Sequence, residues 1–99
     1  MARIDLAPEI AGDIERIYAH LAEYDVENID VRIREIIQAI DVLRSNPLIG
    51  RPGSGQNREL VIGRDARGYL ALYRYIEELD AVFVLALRSQ REAGYPGHS

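Results

Sequence analysis

Between Arg58 and Arg91 the chain offers three strand-forming segments in close succession, RELVI, GYLALYRYI and AVFVLALR. The stretches between them, Asp65-Ala66-Arg67-Gly68 and Glu77-Glu78-Leu79-Asp80, have the length and composition of hairpin turns. The run therefore predicts strands at about Arg58–Ile62, Gly68–Ile76 and Ala81–Arg88, arranged as an antiparallel meander. In the middle segment the period-2 rule puts Tyr69, Tyr73 and Tyr75 on one face and Leu70, Leu72, Arg74 and Ile76 on the other. A sheet with one solvated face shows apolar side chains on one side only. Apolar or aromatic groups on both sides here imply two covers, one supplied by the chain's own helices and the other by a separate chain.

The covering helices precede the sheet. Arg3 to Leu6 is short enough for an edge strand, and Pro8 suits a first helical position because the missing N–H has no partner there anyway. From Pro8 a helix carries Ile10, Ile14, Ile17, Leu21 and Tyr24 as one apolar stripe, with Asp13, Glu15, Arg16 and Glu23 pointing elsewhere. Gly12 inside it costs about 1 kcal/mol relative to alanine, and close packing on a neighbour is the expected reason for it. After Asp25 to Asn28 a second helix carries Ile29, Ile33, Ile36, Ile37, Ile40 and Leu43 and stops at Ser45-Asn46-Pro47. So short a linker predicts an antiparallel helix hairpin. Leu48 to Asn57 is a Pro- and Gly-rich loop that looks mobile at Gly53-Ser54-Gly55. The expected fold class is α+β, in the order β-α-α-β-β-β: short N-terminal strand, antiparallel helix hairpin, three-stranded antiparallel meander.

Composition removes several functions. Ninety-nine residues make one domain, 1–99, with 93–99 expected as a flexible tail. No apolar run approaches a membrane span and MARIDLAPEI lacks the zones of a signal peptide, so a cytoplasmic location without membrane association is expected. Cysteine is absent and His20 and His98 are far apart, so neither thiolate chemistry, nor a metal, nor any cofactor is expected. The net charge of -4 is unevenly placed: residues 1–46 hold five arginines against ten acidic residues, and residues 47–99 hold seven against six. Such a chain is poorly equipped to hold nucleic acid alone. All twelve basic residues are arginine, which fits planar bidentate pairing or a coding bias.

The order strand, helix hairpin, Asn46-Pro47-Leu48-Ile49-Gly50-Arg51-Pro52, Arg58-Glu59-Leu60, three tyrosines, and Leu87-Arg88-Ser89-Gln90-Arg91 resembles the RelE/ParE toxin superfamily of toxin-antitoxin and plasmid stabilisation systems. The resemblance is closest to ParE and spans nearly the whole chain. It implies the toxin half of a type II pair, neutralised by a ParD-like ribbon-helix-helix antitoxin, with operator DNA bound only through that antitoxin. ParE-type toxins inhibit DNA gyrase, whereas RelE-type toxins cleave messenger RNA on the ribosome; fold alone does not choose between them. A non-toxic binding module on the same scaffold is a third reading.

Metal-free RNA cleavage needs converging cations and a proton-transfer group. Arg58, Arg88, Arg91 and Tyr95 are the candidates for that role, with Arg64 and Arg74 as further cations. Against it stand the absence of lysine, the high basicity of arginine and a pI near 5.1, so gyrase inhibition without bond-making chemistry is the preferred expectation. The candidate target contacts are then Arg51, Arg58, Arg74, Arg88 and Arg91. Each has a plainer role open to it: Arg74 as ion-pair partner of Glu77 and Glu78, Arg51 and Arg58 as donors to loop carbonyls. The candidate antitoxin contacts are Tyr18, Val31, Val42, Leu48, Tyr69, Tyr73 and Tyr75, although strands favour tyrosines for packing as well.

Overall fold

The computed structural model describes residues 1–24, 26–63 and 67–96. The elements run β1 (Arg3–Leu6), α1 (Glu9–Glu23), α2 (Ile29–Ile40), β2 (Arg51–Pro52), β3 (Arg58–Ile62), β4 (Tyr69–Ile76) and β5 (Ala81–Ser89). Pro8 caps α1 rather than opening it, and Glu9 sits in the first turn where the helix dipole favours an acid. Asn28 precedes α2 with φ 58°, a left-handed conformation that asparagine tolerates. Beyond Ile40 the helix tightens into a 3-10 turn, Asp41–Arg44, before Pro47 ends helical geometry.

The meander is present, but it is the middle of a larger sheet. Five strands lie in the order β1-β5-β4-β3-β2, and β1 runs parallel to β5, so the sheet is mixed and not a three-stranded meander. Two-residue β2 closes the other edge, pairing Arg51 with Glu59 and Pro52 with Arg58. The register of β4 on β5 shifts between Leu72 and Tyr73, which pair with Ala86 and Val84 and leave Leu85 as an extra residue. The bulge lies in β5, so alternation along β4 survives it.

One face of the sheet meets both helices. Ile10, Ile17 and Leu21 of α1 and Ile36 and Ile40 of α2 join Leu60, Ile62, Tyr69, Ala71, Tyr73, Val82, Val84 and Leu87 in a single core. Full burial of one such aliphatic side chain contributes about 1.5–3 kcal/mol. The tyrosine face of β4 is therefore the core face, and Tyr73, completely buried, is a core residue and not an antitoxin contact of the folded domain. Two residues of the expected α1 stripe behave differently: Ile14 is only partly buried and Tyr24 is exposed. Gly12 has open space where a Cβ would stand, so close packing does not explain it.

Among the described residues no helix is long and apolar enough to cross a membrane, and no group of three or more His, Cys, Asp or Glu side chains could hold a metal.

Candidate functional site

The second face of the sheet carries Leu70 and Leu72, both buried, and, of the candidate residues, Arg51, Arg74 and Arg88. Register places Glu59 beside Leu72 and Arg88 beside Leu70, on the two strands flanking β4. Tyr95 reaches across from the C-terminal segment. Its hydroxyl donates to Glu59 Oε2 at 2.5 Å, and the Arg88 guanidinium lies 5.1 Å from its ring centroid, within cation-π range. The tyrosine thus spans the outer face from β3 to β5. Cover on that face comes at least in part from the chain's own C-terminal segment rather than from a separate chain.

Glu59 is the hub of this cluster. Arg51, its pairing partner on β2, donates from Nε to Glu59 Oε1 at 3.1 Å. The Tyr95 hydroxyl, more than the opposing effect of burial, holds the Glu59 carboxyl below its ordinary range, and Arg51 adds to that effect. Burial first, and then the Glu59 carboxylate, push the Tyr95 phenol well above its ordinary range, with Arg88 only partly opposing. Arg88 donates from Nη1 to the carbonyls of Glu92 and Ser89, while its Nε is buried with no partner among the described residues. The arrangement presents a phenol that keeps its proton, already committed to a carboxylate at the centre of the face.

The remaining arginines separate. Arg58 pairs with Tyr73 and so points to the helix side, where Nη1 donates to the carbonyls of Gly50 at 2.8 Å and Leu48 at 3.3 Å. The same glycine donates its N–H to the Tyr73 hydroxyl at 2.8 Å. A Cβ on Gly50 would stand 2.6 Å from the Tyr73 ring and 2.8 Å from the Glu59 carbonyl oxygen, which explains the glycine in the Pro-x-x-Gly-Arg segment. Arg74 bonds Asn57 Oδ1 at 3.2 Å and not Glu77 or Glu78. Arg91 lies away from the Tyr95 face, at a cleft beside α1. Arg64 and His98 lie outside the described residues. Of the four ribonuclease candidates, only Arg88 and Tyr95 are in mutual contact.

Tyr18, Val31, Val42 and Leu48 are exposed, whereas Tyr69 and Tyr73 are buried and Tyr75, half-buried, donates to Asp80 Oδ1 at 2.8 Å. Ile37, expected on the apolar stripe of the second helix, is exposed, as is Ile49, which was not among the candidate contacts. Sequence reasoning missed Glu59 and a network around Asp13. Asp13, 3% exposed, accepts from the Leu87 N–H at 2.9 Å and from Arg16 Nη1 at 2.7 Å. Arg16 in turn donates to the Leu87 carbonyl at 2.9 Å and to Glu92 Oε1 at 2.7 Å. Glu92 is held below the usual carboxylate range although burial opposes it, because Arg16 and the Ser89 N–H both donate to it. Arg16 and Glu92 thereby fix the start of the segment that delivers Tyr95.

A family model described as ParE toxin of type II toxin-antitoxin system, parDE, matches residues 4–94. Among solved structures, a chain from the chromosomal ParDE system of P. aeruginosa superposes with a TM-score of 0.73 at 20% identity, over 90% of this chain and 96% of that one. A chain from the intact E. coli RelBE toxin-antitoxin complex superposes with a TM-score of 0.64 at 14% identity, over 93% of this chain and 100% of that one. No curated protein sequence matches.

Proposed function

The chain belongs to the ParE toxin family of type II toxin-antitoxin systems, and from that membership we propose that it is a toxin neutralised by a ParD-like antitoxin and acting by inhibition of DNA gyrase. The observation that carries the choice of target is the Tyr95–Glu59 hydrogen bond. Metal-free RNA cleavage requires a proton-transfer group free to reach the 2'-hydroxyl or the leaving oxygen. Here Tyr95, on the outer face, is held against ionisation by burial and by the hydrogen bond that its hydroxyl donates to a carboxylate. The Glu59 carboxylate, near enough to Arg88 to feel its charge, disfavours a phosphate beside that arginine.

The antitoxin reading draws on exposed apolar residues outside the core. Tyr18 and Val31 on the helices, and Val42 and Leu48 after them, offer grip to an amphipathic helix. Operator DNA would be held by the antitoxin, since the toxin is acidic. The rival reading, a RelE-type ribonuclease, is favoured by one contact, that of Arg88 with Tyr95.

Expression of the chain without its antitoxin separates the two. Gyrase inhibition predicts lost supercoiling activity in a purified assay and filamentous cells with damaged DNA. Cleavage of ribosome-bound messenger RNA with supercoiling intact would overturn the proposal.

A further inference from the structure

A cleft of about 670 Å³ opens where the C-terminal end of α1 meets the ends of β4 and β5, and neither reading of the function uses it. Its floor is apolar and aromatic, made by the buried residues Ile17, Leu21 and Tyr69. Its wall carries His20 and Tyr24, whose rings lie 5.0 Å apart at 58°. Its rim holds three further cations from three separate places in the chain: Arg32 on α2, Arg67 in the turn before β4, and Arg91 after β5. Arg16 also lines the cleft, but Asp13 and Glu92 already neutralise it. None of the ion pairs among the described residues uses Arg32, Arg67 or Arg91. In a chain of net charge -4, three such arginines around one opening form a local basic site.

A second observation is independent of charge. Tyr69 is only 9% exposed, yet its hydroxyl makes no hydrogen bond with another described residue while its side chain lines the cleft. A phenol on the cleft lining offers a ligand one neutral polar group beside the charged rim.

We propose that this cleft binds a nucleotide. Guanidinium forks at the rim match phosphate oxygens, the aromatic wall and apolar floor suit the face of a base, and the Tyr69 hydroxyl supplies a polar contact to the sugar or base edge. The volume falls in the range of about 300–1,000 Å³ usual for small-ligand sites. An acidic peptide would satisfy the rim but has no planar group for His20 and Tyr24, so a nucleotide accounts for both parts of the cleft.

Calorimetric titration of the isolated chain with ADP, adenosine, inorganic pyrophosphate and a short single-stranded RNA tests the proposal. ADP is expected to bind saturably and more tightly than adenosine or pyrophosphate alone. Arg67→Ala and Arg91→Ala, both at exposed positions that leave the fold intact, each weaken ADP by about tenfold, as loss of one charge-assisted contact requires. Tyr69→Phe weakens ADP and adenosine but not pyrophosphate, and Arg44→Ala, at a distant ion pair, changes nothing. The proposal is overturned by failure of ADP to saturate at millimolar concentration, by binding insensitive to both arginine variants, or by preference for the RNA over ADP.

Discussion

Asp13 of α1 accepts the backbone N–H of Leu87 at 2.9 Å, doing from a helix what a neighbouring strand would otherwise do. β1 pairs with β5 only as far as Val84, so the N–H and carbonyl of Leu87 face an open edge. Asp13 takes the N–H and Arg16 gives to the carbonyl, which closes that edge with two side chains one helical turn apart. Asp13→Ala should leave the buried Leu87 N–H without its acceptor, while Arg16 keeps Glu92 and the Leu87 carbonyl, costing about 2 kcal/mol in chemical denaturation. Asp13→Asn keeps an acceptor for the N–H and should cost clearly less. Equal losses for the two variants would refute this account of the edge.

Two glycines should respond in opposite directions. At Gly12 an added Cβ meets nothing within 4 Å, so Gly12→Ala should stabilise the protein by about 1 kcal/mol through helix propensity. At Gly50 the added methyl meets Tyr73 and the backbone oxygen of Glu59, and Gly50→Ala should destabilise by about 1–3 kcal/mol. Thermal melts of the pair check both signs.

The difference between what was legible in the chain and what was not follows the range of the interactions. β3, β4 and β5 announce themselves by local alternation, and their observed bounds lie within one residue of those expected. The parallel pairing of β1 joins residues far apart in the chain, Arg3 with Ala81, and two-residue β2 is too short to show any period. Asp13 reads as a solvent-facing helix carboxylate because nothing local reveals that β1 stops before Leu87. Tyr95 could be noticed from its place near the C-terminus, but its acceptor could not. Glu59 lies 36 positions away and comes within reach only through the registers of β3 on β4 and β4 on β5.

The Glu59–Tyr95 pair should shape both limbs of the stability profile. Folding lowers the Glu59 pKa from an ordinary value of 4.5, so its contribution is full above that value and is lost as pH falls through the folded value. Folding raises the Tyr95 pKa from an ordinary 10.0, so its contribution is full below that value and is lost as pH rises through the folded value. Glu59→Gln should therefore flatten the acid limb, leaving a residue of slope from Glu92, which is also lowered. Tyr95→Phe should flatten the alkaline limb without abolishing it, because burial raises Tyr73 as well. Urea midpoints measured across the pH range test both; an acid limb unchanged by Glu59→Gln would contradict the assignment.

Substitution at Tyr95 also distinguishes a structural tyrosine from a reacting one. Tyr95→Phe removes the hydrogen bond to Glu59 while keeping the ring over Arg88, so its cost should be about 1 kcal/mol of stability. If the outer face acts by contact with a protein target, toxicity of that variant should fall no more than its folded population does. Arg88→Ala is more severe, because it removes the cation under the ring and releases the carbonyl of Glu92 that anchors the segment, and it should lower toxicity whichever chemistry operates. The informative quantity is the contrast between the two variants, measured as growth inhibition at matched soluble expression. A tyrosine acting as proton donor or acceptor contributes about 10²–10⁴-fold to a rate. Loss of that size in a folded Tyr95→Phe protein would defeat the gyrase reading and identify the hydroxyl as chemical, whereas near-full toxicity would leave the phenol as a strap that holds Arg88 and Glu59 in register.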